Sequence, residues 1–184
     1  AMLYIMSYGF LLRVRSEALA LRIGYNGESS KLLAPRVHSA LCFDGSKLTF
    51  RLARRKNKPG GSVLIRWCAC KLSKLLCPVH VLGPWVQSMK AGSMPFACFS
   101  GDKALAALRI RLARLQIPDH GCYILHDFRR GHAQDLMERG ASLCTILRAG
   151  EWSSSAFTAY LDTAELEARA VIEGLRDGSS EEDE

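Results

Sequence analysis

No apolar run in the 184 residues reaches the roughly 18 that a membrane span requires. The opening AMLYIMSYGF is apolar, but it has neither the basic start nor the small-residue cleavage site of a secretory leader. It reads as a buried helix. The seven cysteines are an odd number in a chain without such a leader. That argues against a disulfide framework and for a reducing compartment, nucleus or cytosol. Internal repeats, a Walker loop, a dinucleotide-binding fingerprint and a hydrolase elbow are all lacking. With 48% hydrophobic and 23% charged residues, disordered, collagen-like and low-complexity classes are excluded. What remains is a globular chain able to bury roughly 70% of its unfolded surface. Because it opens without Met inside an apolar stretch, the expectation is a domain excerpted from a longer protein.

Charge is plentiful and uneven. Twenty-five Lys and Arg face eighteen Asp and Glu, a formal net charge of +7. The last four residues, Glu181, Glu182, Asp183 and Glu184, are all acidic, so residues 1–180 carry +11. A basic body with an acidic tail implies a polyanionic partner, most often nucleic acid.

Apolar spacing predicts a helix over 2–20, ended by Gly24, Asn26 and Gly27. The period then changes to that of strands, at 37–43, 47–54 and 62–67. Asp44-Gly45 and Lys58-Pro59-Gly60-Gly61 supply the turns, which gives a three-stranded antiparallel sheet near the N-terminal side. Helical patterns follow at 78–90, 102–115, 125–139, 142–149, 153–161 and 163–176. The fold class is α+β and mainly helical, with one domain over 1–176 and a disordered acidic tail over 177–184.

The densest chemistry lies at His126-Asp127-Phe128-Arg129. His126 and Arg129 stand three apart and share a helix face. A guanidinium forks onto two phosphate oxygens while an imidazole donates to a third. Trp152 follows Arg129 by 23 residues, in Gly-Glu-Trp-Ser-Ser, and Tyr160 follows Trp152 by eight. Together with the stretch GHAQDLMERGASLCTILRAGEW between them, this order resembles the tyrosine recombinase (phage integrase-like) family. Many members of that family place the Tyr nine residues after the His or Trp. The family also has an Arg shortly before a Glu near the start of its catalytic domain, and Leu11-Leu12-Arg13-Val14-Arg15-Ser16-Glu17 is similar to that signature. Its usual spacing is three; Arg13 stands at four and Arg15 at two. Arg13 is preferred, with Glu17 orienting it, and Arg15 is the alternative. The family's hairpin Lys corresponds to Lys56, or alternatively Lys58, in Arg54-Arg55-Lys56-Asn57-Lys58-Pro59-Gly60-Gly61.

The resemblance spans about residues 5–161. It implies catalytic roles for Arg13, Lys56, His126, Arg129, Trp152 and the nucleophile Tyr160, with duplex DNA and further copies of the chain on that DNA as partners. The implied chemistry is strand cleavage and rejoining through a 3′-phosphotyrosyl intermediate, which needs no cofactor. It serves site-specific recombination or integration of a mobile element. Rival readings are a domesticated DNA-binding protein without catalysis and a type IB topoisomerase-like enzyme.

Cys68-Ala69-Cys70 and Cys77-Pro78-Val79-His80 form a separate group. Three thiolates and an imidazole suit tetrahedral zinc, and all four ligands from protein make such a site structural. The alternative is buried free cysteines acting as small apolar residues. Cys42, Cys98, Cys122 and Cys144 are expected in the core.

Overall fold

The first residues form a helix, but a short one. α1 covers Met2–Gly9 and buries Leu3, Met6 and Ser7, whose hydroxyl donates to the Leu3 carbonyl at 2.7 Å. The continuous helix expected over 2–20 is not formed. Leu11 adopts a left-handed conformation (φ 50°), uncommon for a bulky side chain. The chain resumes as a single π-helical turn, Val14–Ala18, in which the Ala18 N–H donates to the Arg13 carbonyl at 3.3 Å. The physical reason lies in Phe10, Leu11 and Leu12, which are all fully buried. Three successive side chains fan around a regular helix, which can bury only one stripe. Breaking the helix lets all three enter the core.

The computed structural model describes residues 1–24, 38–56, 58–68, 70, 74, 77–152, 161 and 164. Its sheet has four strands in the order β1 (Arg22–Ile23), β2 (Ala40–Phe43), β3 (Lys47–Leu52) and β4 (Ser62–Trp67). β2, β3 and β4 pair antiparallel as the turn signals require. The three-stranded antiparallel sheet must nevertheless be corrected to a mixed one, because β1 pairs parallel with β2. Two residues are too few to show a period in sequence. β1 exists because tertiary partners hold it: the Ile23 N–H donates to Ser93 and the Gly92 N–H to Ile23. Leu41, Phe50 and Leu64 lie in register on the buried face, and Val63, Ile65 and Trp67 project from the other.

Three helices follow within the first of two compact units, Ala1–Arg129 and Arg130–Glu184, or begin there. α2 (Pro78–Ser88) packs on the sheet, where a Cβ on Gly83 would meet the Phe43 ring at 2.7 Å. α3 (Gly101–Arg114) is capped by Ser100, whose hydroxyl accepts from the Lys103 N–H at 3.2 Å. α4 (Asp127–Glu138) starts one residue after His126, so His126 stands at its entrance and not inside it. The first unit's core joins α1, the sheet, α2 and α3 around Met6, Phe10, Phe50 and Leu82. Tyr4 stacks on Phe128 at 5.2 Å and donates to the Ala104 carbonyl at 2.7 Å.

In the second unit, Gly140 (φ 80°) ends α4 and Ser142 caps α5 (Leu143–Gly150). Ala133, Met137, Ile146 and Leu161 are buried. The helices expected at 153–161 and 163–176, and the tail at 177–184, fall outside the described residues apart from Leu161 and Ala164. Among the described residues, no helix is long and apolar enough to cross a membrane.

Candidate functional site

The break after α1 does more than bury Leu11. A left-handed residue turns its carbonyl out of the helical ladder, and two arginines take it up. Arg129 Nη1 donates to the Leu11 carbonyl at 2.7 Å and Arg55 Nη2 donates to it at 3.2 Å. The π turn performs a related task for Arg13. It sets Glu17 so that the carboxylate accepts from both ends of Arg13: the backbone N–H at 2.9 Å and Nη1 at 3.0 Å. Glu17 Oε1 also accepts from Arg55 Nε at 3.2 Å. Arg13, Arg55 and Arg129 are therefore linked through two shared acceptors, Glu17 and the Leu11 carbonyl. Strained backbone and π bulges both concentrate at functional sites.

Burial grades these groups. Glu17, Arg55 and Arg129 are buried, whereas a quarter of the Arg13 side chain is exposed. A buried carboxylate is tolerable only when paired, and Glu17 is paired twice. Arg66 lies close by, with Nε donating to the Gly9 carbonyl at 2.7 Å and its guanidinium over the Phe10 ring. Burial, and then the nearby Arg55 charge, lower its pKa from the ordinary arginine value.

Arg13 thus occupies the cluster and Arg15 does not. Arg15 is mostly exposed and pairs with Asp102 at 2.6 Å. The π turn over Val14–Ala18 holds Glu17 against Arg13, with Nη1 3.0 Å from Oε1. His126 is half-buried, and its carbonyl accepts from the Arg129 N–H at 3.0 Å. Lys56 is exposed at the hairpin tip, closed by the reciprocal bonds of Arg55 and Lys58 (3.1 and 3.0 Å). Lys58 is exposed as well.

Arg55 escaped the sequence reading. A run of basic residues at a hairpin tip is ordinarily solvated, and nothing in Arg54-Arg55-Lys56 marks the middle residue as buried. Its acceptors come from sequence positions 38 and 44 residues away.

Trp152 belongs to the second unit. Its backbone N–H donates to the Leu147 carbonyl at 3.0 Å, after Glu151 turns left-handed (φ 50°) to end α5. Gly150 explains the Gly-Glu-Trp sequence, because a Cβ there would overlap the Trp152 ring. Tyr160 lies outside the described residues.

The second group stands where β4 hands over to α2. Cys68 follows β4, Cys77 caps α2 and His80 lies in its first turn. The ligand atoms of Cys68, Cys70, Cys77 and His80 all lie within 4.8 Å of one another. Cys68 Sγ is 3.4 Å from Cys70 Sγ, and His80 Nδ1 is 3.7 and 3.3 Å from them. A tetrahedron with zinc–sulfur bonds of about 2.3 Å has edges of about 3.8 Å, so the group can hold a metal ion. The Cys70 thiol is pushed up to about 11 by its hydrogen bond to Cys68 and by burial. Backbone and side-chain hydrogen bonds from Cys70 lower Cys68. Burial pushes Cys77 up, but the N–H groups and ring at the start of α2 outweigh it and its pKa falls.

The remaining cysteines correct an expectation. Cys98, Cys122 and Cys144 are exposed and Cys42 is half-buried, because turns and a helix's outer face carry the first three.

No family model matches the chain, and no curated protein or solved structure shows significant similarity to it.

Proposed function

We propose that this chain cleaves and rejoins duplex DNA through a covalent phosphotyrosyl intermediate, in recombination or integration. The observation that carries the reading is the linkage of Arg13, Arg55 and Arg129 through Glu17 and the Leu11 carbonyl. Two arginines from distant sequence, ordered by shared acceptors, suit a phosphodiester better than a solvated basic face does.

The mechanism follows from charge. Attack on a phosphodiester creates a phosphorane with more negative charge on the nonbridging oxygens. Arg13, Arg129, His126 and the Trp152 indole N–H donate to those oxygens. The Tyr160 phenol, with an ordinary pKa of about 10, gives its proton to solvent water as its oxygen bonds to phosphorus. The bond to the 5′-oxygen breaks, and Lys56 gives that oxygen a proton. The energy of the phosphodiester is kept in the tyrosyl ester, so a 5′-hydroxyl from another strand reverses the step. Further copies of the chain bring that strand.

Incubation with a nicked duplex, which loses its 5′-hydroxyl fragment after cleavage, should trap an SDS-resistant adduct. Tyr160→Phe should abolish the adduct and leave DNA affinity nearly intact, because only the attacking oxygen is removed. An adduct from the Phe variant would exclude Tyr160 as nucleophile. Binding without any adduct from the parent would make the chain a DNA-binding protein.

The reading extends to the second group, whose metal we take to be zinc in a structural role. Its donor set of three thiols and one imidazole, and the absence of a ligand position left for water, support zinc. The zinc content of protein purified without added metal tests this.

A further inference from the structure

We propose that Arg55 is a positioning residue that sets how Arg13 and Arg129 stand relative to each other. The inference rests on the reading that those two arginines hold the scissile phosphate. Arg55 Nε donates to Glu17 Oε1, the atom that also accepts from Arg13 Nη1. Arg55 Nη2 donates to the Leu11 carbonyl, which also accepts from Arg129 Nη1, and reaches Glu17 Oε2 at 3.5 Å. One planar group thereby ties Glu17 of the π turn to the Leu11 carbonyl that also holds Arg129 of α4. The geometry needs a guanidinium, because its donors diverge at fixed angles within one plane. An ammonium in its place is a point charge that cannot serve both acceptors from the same side.

The shared acceptors assign the role. Arg55 gives Nε to Glu17 and Nη2 to the Leu11 carbonyl, the two groups that hold Arg13 and Arg129, while a quarter of the Arg13 side chain stays exposed. Arg55 also closes the hairpin through its backbone, with reciprocal bonds to Lys58, so its side chain and main chain together fix where the next residue, Lys56, emerges. Three of the residues assigned to the reaction thus depend on one buried side chain. Misplacement of a reacting group by about 1 Å can cost about 100-fold in rate.

The test uses the full chain and Arg55→Lys, which keeps the charge. With nicked duplex at saturation, the variant should form adduct about 100-fold more slowly, with DNA affinity within about threefold of the parent and a melting midpoint that is lowered but still well above the assay temperature. Combining it with Arg13→Lys should cost less than the product of the two single effects, because Arg55 acts through Arg13. A folded variant cleaving at the parental rate overturns the proposal, and so does a double variant that loses the full product. If Arg55→Lys does not fold, the parent decides by arginine Nε–H resonances titrated with inorganic phosphate. Arg13 and Arg129 should shift while Arg55 stays in place. A shift at Arg55 as large as that at Arg13 makes it a ligand and overturns the proposal. Shifts at neither Arg13 nor Arg129 would remove the phosphate reading itself, and this inference with it.

Discussion

At Arg13 and Arg15, two like residues on either side of Val14 have opposite fates. Arg13 is held by a buried carboxylate, whereas Arg15 pairs with Asp102 across a surface where both partners are largely exposed. Exposed pairs contribute about 0–1 kcal/mol because water and salt screen them. Arg15→Ala should therefore leave adduct formation near the parental rate and stability within about 1 kcal/mol. Arg13→Ala should slow adduct formation by about 100-fold or more, the usual cost of losing a donor aimed at developing charge. Single-turnover kinetics and thermal denaturation of the two variants check this, and a slower Arg15→Ala would reverse the assignment. Gly150 makes a similar case from packing. Gly150→Ala places a methyl where the Trp152 ring lies, which should move the Trp152 indole N–H resonance and cost about 1–3 kcal/mol through overpacking.

At the scale of elements, the junction between β4 and α2 is the place where a metal would matter most. Only nine residues separate Cys70 from His80, and the four donors bracket that connection. With zinc bound, protein purified without added metal should contain about one ion per chain, given that structural sites bind far below micromolar. Below about 0.2 per chain in a folded sample, the four residues are ordinary side chains. A chelator should loosen β4 and α2, seen as faster amide exchange there, while the core around Phe10 and Phe50 persists. Zinc binding energy feeds into folding, but this unit has an apolar core of its own.

The whole molecule carries a formal charge of +7. If that charge neutralises phosphates, the logarithm of DNA affinity should fall linearly with the logarithm of salt concentration, by about 0.9 per contact. Titration of a labelled duplex between 50 and 200 mM salt, a range over which six to ten contacts would cost about 10³–10⁵ in affinity, measures the slope. A flat response would contradict the DNA reading whatever the arrangement of arginines.

Local chemistry made much of this legible in the residues. The alternation Leu48, Phe50, Leu52 and the Asp44-Gly45 turn act within a few positions, and the strands fall where those signals lie. The Cys68, Cys70, Cys77 and His80 cluster was readable for the same reason, since its ligands sit within thirteen residues. Three features depended on contacts between distant positions. β1 needed β2 and Ser93 to become a strand. The pairing of Arg13, and not Arg15, with Glu17 needed a helix broken so that Phe10, Leu11 and Leu12 could all be buried. Arg55 needed acceptors that only folding brings to it. Periodicity and capping are local energies, written in the order of residues. The burial of a guanidinium is decided by what the rest of the chain places around it, and that belongs to tertiary structure alone.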